Sequence, residues 1–135
     1  MSLPGLEALR DRPEPKPADV DEPRPSDDEG GGVLACAACR RPITSDAARI
    51  EVGGAHAHSF VNPAGVEFRI GCFGLATGCL QVGEPTTFWS WFPGYAWVIE
   101  ICASCQAHLG WEFRSSSHRF HGLILDRLVR LEERP

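Results

Sequence analysis

Residues 86–113, TTFWSWFPGYAWVIEICASCQAHLGWEF, decide how this chain folds. Pro93-Gly94 is the pair favoured at the centre of a type II turn, so strands are predicted on either side of it, at 86–92 and 95–101. Apolar residues alternate from 109 to 114, which is typical of a half-buried strand. The stretch therefore predicts β structure, with Trp-bearing segments brought together by one turn.

Strand-like runs separated by turn residues extend outward from this stretch, back to Val33 and forward to the end. Asn62-Pro63-Ala64-Gly65 is a good turn sequence between two such runs and predicts a hairpin. Only 44–48 and the segment around Leu75 resemble short helices, and the spacing of leucines after 125 leaves the last segment ambiguous. The chain is predicted to be all-β and mostly antiparallel, with further strands at 49–52, 59–61, 66–70 and 120–125.

The net charge of −5 belongs to the first 32 residues, which hold nine acidic and four basic side chains. Six of the 11 prolines and a run of three glycines also lie there. Such a composition cannot bury enough apolar surface to offset the entropy of ordering. Residues 1–32 are therefore predicted to be a disordered acidic tail, and residues 33–135 a single folded domain.

Residues 33–135 carry equal numbers of acidic and basic side chains, and this balance excludes several partners. A neutral domain without a basic cluster is not expected to bind nucleic acid. The chain has neither a secretory signal pattern nor an apolar run long enough to span a membrane. We therefore expect a cytoplasmic protein, in which structural disulfides are uncommon.

Two Cys-x-x-Cys motifs, Cys36 to Cys39 and Cys102 to Cys105, have the spacing of metal-binding knuckles. Two thiolates from each tight turn complete a tetrahedral Cys₄ shell, so one structural zinc ion is predicted. A redox-active Cys-x-x-Cys and unliganded buried thiols are the competing interpretations. The redox interpretation lacks the alternating β/α pattern of thioredoxin-type sites.

The other two cysteines, Cys72 and Cys79, lie in and beside a Gly-rich stretch. They are interpreted as small buried apolar residues, with extra metal ligation or a labile disulfide as alternatives. We find no nucleophile–base arrangement and no Gly-rich phosphate loop before a helix. The sequence therefore predicts no enzymatic activity and no catalytic residues.

All four tryptophans fall within 23 positions, at 89, 91, 97 and 111. A Trp-rich core would explain such a cluster, but an indole N–H needs a partner when it is buried. Several indoles can instead form a box around a guest. Such a box would hold a methylated ammonium by cation–π attraction, or a flat neutral ring by dispersion and desolvation.

Several motifs together resemble the thalidomide-binding, or CULT, domain of the cereblon family. They are the 90–97 segment SWFPGYAW, the second cysteine knuckle and the 108–113 segment HLGWEF. The resemblance extends back to the first knuckle and forward to Leu123, so it covers about residues 33–130. It implies two sheets joined at one end by the Cys₄ zinc site.

In that family three tryptophans cage cyclic imides, and the matching residues are Trp91, Trp97 and Trp111. The resemblance implies that the imide N–H and carbonyls bond to backbone near residues 89 and 91, and to the indole N–H of Trp97. It also implies further ligand-binding residues at Phe113, Asn62 and Pro63.

Two departures from the family pattern alter what the resemblance implies. The family has a His where this chain has Trp89, so a side-chain hydrogen bond to the imide does not carry over. Trp89 is expected to bind the ligand as another apolar wall instead. Only 32 residues precede the domain, which leaves no room for the Lon-like and adaptor-docking parts of cereblon. We therefore expect a stand-alone, bacterial homologue, with no ubiquitin-ligase adaptor as partner.

The leading hypothesis is a zinc-stabilised module that binds cyclic imides, uracil-like rings or cyclised C-terminal residues of proteins. A reader of methylated cations is one alternative. A second is an enzyme resembling methionine sulfoxide reductase B, which would need Cys72 or Cys79 as its nucleophile.

Overall fold

The computed structural model of the protein describes residues 32–131. The predicted disordered tail, apart from its last residue, lies outside the described residues. Within them the chain forms nine β-strands and two 3₁₀ turns, Asp46–Ala48 and Leu125–Arg127. The described part contains no helix of the length and apolarity that a membrane span requires.

The strands form two antiparallel sheets, which confirms the predicted all-β class. The three-stranded sheet has the order β2-β1-β9, and the six-stranded sheet has the order β3-β4-β8-β7-β6-β5. The strand bounds are β1 Val33–Cys36, β2 Pro42–Ser45, β3 Ala57–Val61, β4 Glu67–Phe73, β5 Cys79–Thr86, β6 Ala96–Cys102, β7 His108–Arg114, β8 Arg119–Ile124 and β9 Leu128–Arg130.

Two apolar clusters form the core. One lies between the sheets and contains Ile43 of the small sheet with Phe73, Leu109 and Leu123 of the large one. The other contains Phe92, Phe113 and Phe120, among other residues, on the large sheet. Partly buried Trp91 and Trp97 pack against this second cluster, so the tryptophans extend an aromatic core toward solvent.

Several predicted strands and turns are confirmed. β3 and β4 pair on either side of the turn that begins at Asn62. Gly65 in this turn has the positive φ of 85° that the turn requires. At the second turn the Tyr95 N–H donates to the Phe92 carbonyl at 3.0 Å, and Gly94 has a φ of 88°, as a type II turn requires. The predicted strands at 95–101, 109–114 and 120–125 correspond to β6, β7 and β8.

Three local predictions are wrong. The 49–52 segment contains only isolated bridges, at Arg49 and Val52, and the segment around Leu75 is not helical. The 86–92 segment is strand only at its first residue, where β5 ends. The sequence pattern did not reveal β5 itself. β5 contains Gly83 and Pro85, which disfavour central strands but are tolerated on the edge position that β5 occupies.

Gly78 lies where the two sheets meet. Its N–H donates to the Ile43 carbonyl of the small sheet at 3.1 Å, and its carbonyl accepts from the N–H of Ala103 in the second cysteine knuckle at 2.9 Å. A Cβ at this position would stand 2.3 Å from the Pro42 carbonyl oxygen and 2.7 Å from the Ile43 Cα. Both are backbone atoms, so neither can move away without displacing a strand.

We therefore expect Gly78→Ala to lower the free energy of unfolding by about 2 kcal/mol or more, as overpacking does. Gly74→Ala is the matched control, since a Cβ there meets its nearest neighbour at an ordinary 3.6 Å. Urea-induced unfolding followed by tryptophan fluorescence measures both. Equal stabilities of the two variants would contradict the close contact between the sheets.

Candidate functional site

The two cysteine knuckles come together at the junction of the two sheets. Cys36 is the last residue of β1 in the small sheet, and Cys102 is the last residue of β6 in the large one. All four predicted ligands lie in one cluster, with their sulfur atoms within 4.8 Å of one another. The cluster therefore connects strands that share no backbone hydrogen-bond ladder.

The two knuckles repeat the same local structure. In each, the N–H of the first cysteine donates to the carbonyl five residues later, at 2.8 Å in both. The residue after the second cysteine is left-handed in each, with φ of 72° at Arg40 and 68° at Gln106. This conformation reverses the chain, so that both sulfurs of a knuckle face the same point.

The cluster fits a zinc ion. The sulfur atoms of Cys36 and Cys105 are 3.6 Å apart, and those of Cys39 and Cys102 are 3.5 Å apart. Tetrahedral zinc with Zn–S bonds of about 2.3 Å places its sulfurs about 3.8 Å apart. Four thiolate donors fill such a shell, so the site suits a structural ion that leaves no position open to a substrate.

Cys72 and Cys79 do not belong to this cluster, although Cys79 is the cross-strand neighbour of Cys102. Both are buried thiols, one in each core cluster. Burial raises the pKa of Cys72 to about 11. Burial, reinforced by the charge of Glu100, raises the pKa of Cys79 to about 12. A reactive thiol needs an accessible thiolate, and neither residue offers one at neutral pH.

All seven ligand-binding residues predicted from the sequence line one cavity of about 300 Å³. The two strands β6 and β7 supply Trp97, Trp111 and Phe113, in a register that pairs Trp97 with Phe113. The β3–β4 turn and the loop before β6 supply the others. These are Asn62, Pro63, Trp89 and Trp91.

Trp91 and Trp111 meet edge to face, with ring centroids 4.8 Å apart and planes at 74°. Phe60 of β3 stacks on Trp91 at 4.9 Å, and Phe68 of β4 meets Trp111 edge-on at 5.3 Å. Each indole is thus held by a second aromatic ring. Only 8 % of Trp111 is exposed, whereas Trp91 and Trp97 are half-buried. Trp111 is therefore the deepest of these three tryptophans.

The indole N–H groups fasten the loop between β5 and β6. Trp89 and Trp91 both donate to the carbonyl of Val61, at 2.9 and 3.1 Å. Trp97 donates to the Phe88 carbonyl at 2.7 Å. That N–H is thus bonded within the loop, and the expected hydrogen bond from it to a ligand stays a prediction.

Trp89 has a left-handed backbone, with φ of 57°, which is rare for a bulky residue. Such a conformation costs about 1–3 kcal/mol and is concentrated at binding sites. The side chain is 52 % exposed and stands at the cavity rim. This left-handed conformation turns the backbone of residues 89–91 at the cavity. The resemblance implied ligand hydrogen bonds to this part of the backbone.

Asn62 contributes to the rim mainly through the turn that it organises. Its side-chain oxygen accepts the N–H groups of Ala64 and Val66 at 3.0 and 2.9 Å. These bonds hold the β3–β4 turn and with it the Val61 carbonyl that binds the two indoles. A direct role of Asn62 and Pro63 in ligand binding remains a prediction.

Three cavity residues were not recognised in the sequence: Phe68, Ile99 and His108. His108 meets Trp111 edge-on at 4.8 Å, and burial lowers its pKa, so it is neutral at pH 7. The period-2 alternation of β6 and β7 could have identified Ile99, two residues from Trp97. No local pattern marks Phe68, because β4 borders the cavity only through its position in the sheet. A short stretch of sequence does not reveal that position.

We expect Cys36→Ser to abolish folding, because a structural Cys₄ zinc contributes on the order of 10 kcal/mol. Cys72→Ala is the matched control, since it removes an equally buried sulfur that lies outside the cluster. Circular dichroism and zinc content per chain measure the outcome. A folded Cys36→Ser protein would contradict a structural metal role for the cluster.

No protein-family model matches the chain. Curated relatives do: it is 38 % identical to cereblon of Danio rerio over 76 residues, 53 % of this chain and 18 % of the relative. It is 39 % identical to cereblon of Xenopus tropicalis over 75 residues, 52 % of this chain and 17 % of the relative. With cereblon of Drosophila willistoni it shares 61 % identity over 33 residues, 24 % of this chain and 5 % of the relative. The chain thus aligns with less than a fifth of the length of these relatives. Its matches over about half of the chain, together with the cysteine cluster, support a cereblon-like, or CULT, domain.

Proposed function

We propose that this domain holds one structural zinc ion and binds small cyclic imides, or similar uracil-like rings, between Trp91, Trp97 and Trp111. The observation that carries the proposal is the single cavity that these three indoles share. The proposed activity is binding without chemical conversion. A free metabolite and a cyclised C-terminal residue of a protein are both suitable sources of the ring, since both present the same imide edge.

The cavity wall favours a flat, uncharged guest. None of the ten described residues that line it is acidic, and the only titratable one, His108, is neutral at pH 7. Indole faces bind the aliphatic part of a ring through dispersion and desolvation. A volume of about 300 Å³ is at the lower end of ligand pockets, which suits a small ring.

Backbone groups at the rim suit the polar edge of an imide. Within the described residues, no hydrogen bond engages the carbonyl of Trp89 or the N–H of Trp91. A carbonyl acceptor and an N–H donor two residues apart complement the N–H and one C=O of an imide. The left-handed turn at Trp89 holds these groups in place before any ligand arrives.

Both alternative functions fit the structure less well. A methylated cation would gain cation–π attraction, but it would find no carboxylate among the described lining residues. A reductase like methionine sulfoxide reductase B needs an activated thiolate. The raised pKa values of Cys72 and Cys79 oppose that role.

We expect a glutarimide derivative to quench or shift tryptophan fluorescence with a Kd in the tens of micromolar. A glutarimide ring has about eight heavy atoms, and about 0.7 kcal/mol from each gives about 6 kcal/mol. Trp97→Ala should weaken binding at least tenfold, because it removes one wall of the cavity. Phe88→Ala is the control, since Phe88 is 66 % exposed and does not line the cavity.

A chemical control tests the backbone contacts separately. An N-methylated imide keeps the same apolar faces but cannot donate to the Trp89 carbonyl, and should bind at least about tenfold more weakly. Equal affinity for both ligands would contradict the assigned hydrogen bonds. No fluorescence or calorimetric response to any imide or pyrimidine, with a trimethyl-lysine peptide binding instead, would contradict the proposed function itself.

A further inference from the structure

Polar side chains form a row across four neighbouring strands of the large sheet. The register pairs Gln81 with Glu100, and Glu112 with His121. Glu100 and Glu112 follow Ile99 and Trp111, which line the cavity, so strand alternation directs the two carboxylates to the opposite face. The row therefore lies behind the cavity and outside the ligand site.

Glu100 is fully buried, with 0 % of its surface exposed. Its Oε2 atom lies 2.8 Å from His121 Nδ1 and accepts a bond from the Gln81 amide at 2.5 Å. Its Oε1 atom is buried and has no hydrogen-bond partner among the described residues. A carboxylate oxygen left in this state carries a substantial desolvation cost.

The charges of the cluster are unevenly balanced. Glu112 is paired with Arg114, whose Nε lies 2.7 Å from its carboxylate. Glu100 pairs with no Arg or Lys among the described residues: its hydrogen-bond partners there are the Gln81 amide and the His121 imidazole. A cation bound between these side chains would contact the Glu100 Oε1 atom, which has no hydrogen-bond partner among the described residues.

The arrangement also has the geometry of a metal site. One donor atom from each of Glu100, Glu112 and His121 lies within 4.8 Å of the others. Bonds of about 2.0–2.2 Å to a first-row metal place neighbouring donors about 3.0–3.4 Å apart. The ligands would thus need only small side-chain rotations to close around an ion.

We propose that Glu100, Glu112 and His121 form a second metal site, for a divalent transition-metal ion. A mixed set of imidazole and carboxylates suits zinc, cobalt, iron or manganese, whereas magnesium and calcium prefer oxygen ligands alone. Three protein ligands leave at least one position open, unlike the closed Cys₄ shell. Rotation of the Gln81 amide would present its oxygen as a further ligand.

The test uses the full chain, purified with zinc in the cysteine cluster, and Co²⁺ as the probe. Co²⁺ reports its ligands optically, because thiolate ligation adds an intense near-ultraviolet band that nitrogen and oxygen ligation lacks. We expect one Co²⁺ per chain to bind saturably, with weak visible bands and no thiolate band. The zinc content should stay unchanged.

Glu100→Gln keeps the size of the side chain and should weaken Co²⁺ binding at least about tenfold. His121→Gln, at a position with 12 % side-chain exposure, should do the same and guards against a folding defect at Glu100. Glu84→Gln removes the same charge at an exposed position of β5 and should leave binding unchanged. The proposal is overturned if the wild-type chain binds no Co²⁺, if both ligand variants bind it normally, or if the thiolate band appears.

Discussion

The convergence of four thiolates from two sheets is the constraint on which the rest of this structure depends. A domain of about 100 residues buries proportionally little surface, and here that surface is divided between two apolar clusters. Elsewhere in residues 32–131, side-chain packing and hydrogen bonds such as the one from Gly78 to Ile43 join the sheets. A zinc ion held by the four cysteines would crosslink the ends of β1 and β6 and so restrict the movement of one sheet against the other. It would also fix the end of β6, the strand that carries Trp97.

The cavity owes its shape to hydrogen bonds as much as to packing. Each of the three indoles in the β5–β6 region satisfies its N–H on a backbone carbonyl, two of them on the single oxygen of Val61. A buried indole without such a partner would be costly, so these bonds select one rotamer for each ring. The left-handed residue at 89 is tolerated because its neighbours are held from both sides. The rings are therefore held in place by the protein itself, which would lower the entropic cost of binding the proposed ligand.

The sequence was most informative where local chemistry dominates. The knuckle spacing, the Pro93-Gly94 turn and the alternation in β7 each reflect a short-range rule, and the structure agrees with them. It was misleading where tertiary contacts override propensity. The 86–92 segment is rich in Thr, Phe and Trp and favours a strand, yet the bonds of its indoles to Val61 hold most of it as a loop. β5 was overlooked for the opposite reason, since Gly83 and Pro85 disfavour a strand but an edge position accepts them. The pairing of Glu112 with His121 depends on strand order, which no short motif encodes.

The same two strands serve two different chemistries because side chains alternate between the faces of a sheet. On one face of β6 and β7 lie the apolar walls of the cavity, Trp97, Ile99 and Trp111. On the other lie Glu100 and Glu112, whose buried carboxyl groups need hydrogen-bonding or ionic partners. An ion bound by these carboxylates and His121 would link β6, β7 and β8 through their side chains, directly behind the cavity. Its loading would then restrict the relative movement of Trp97 and Trp111, so metal content and ligand affinity would be linked through the shared strands.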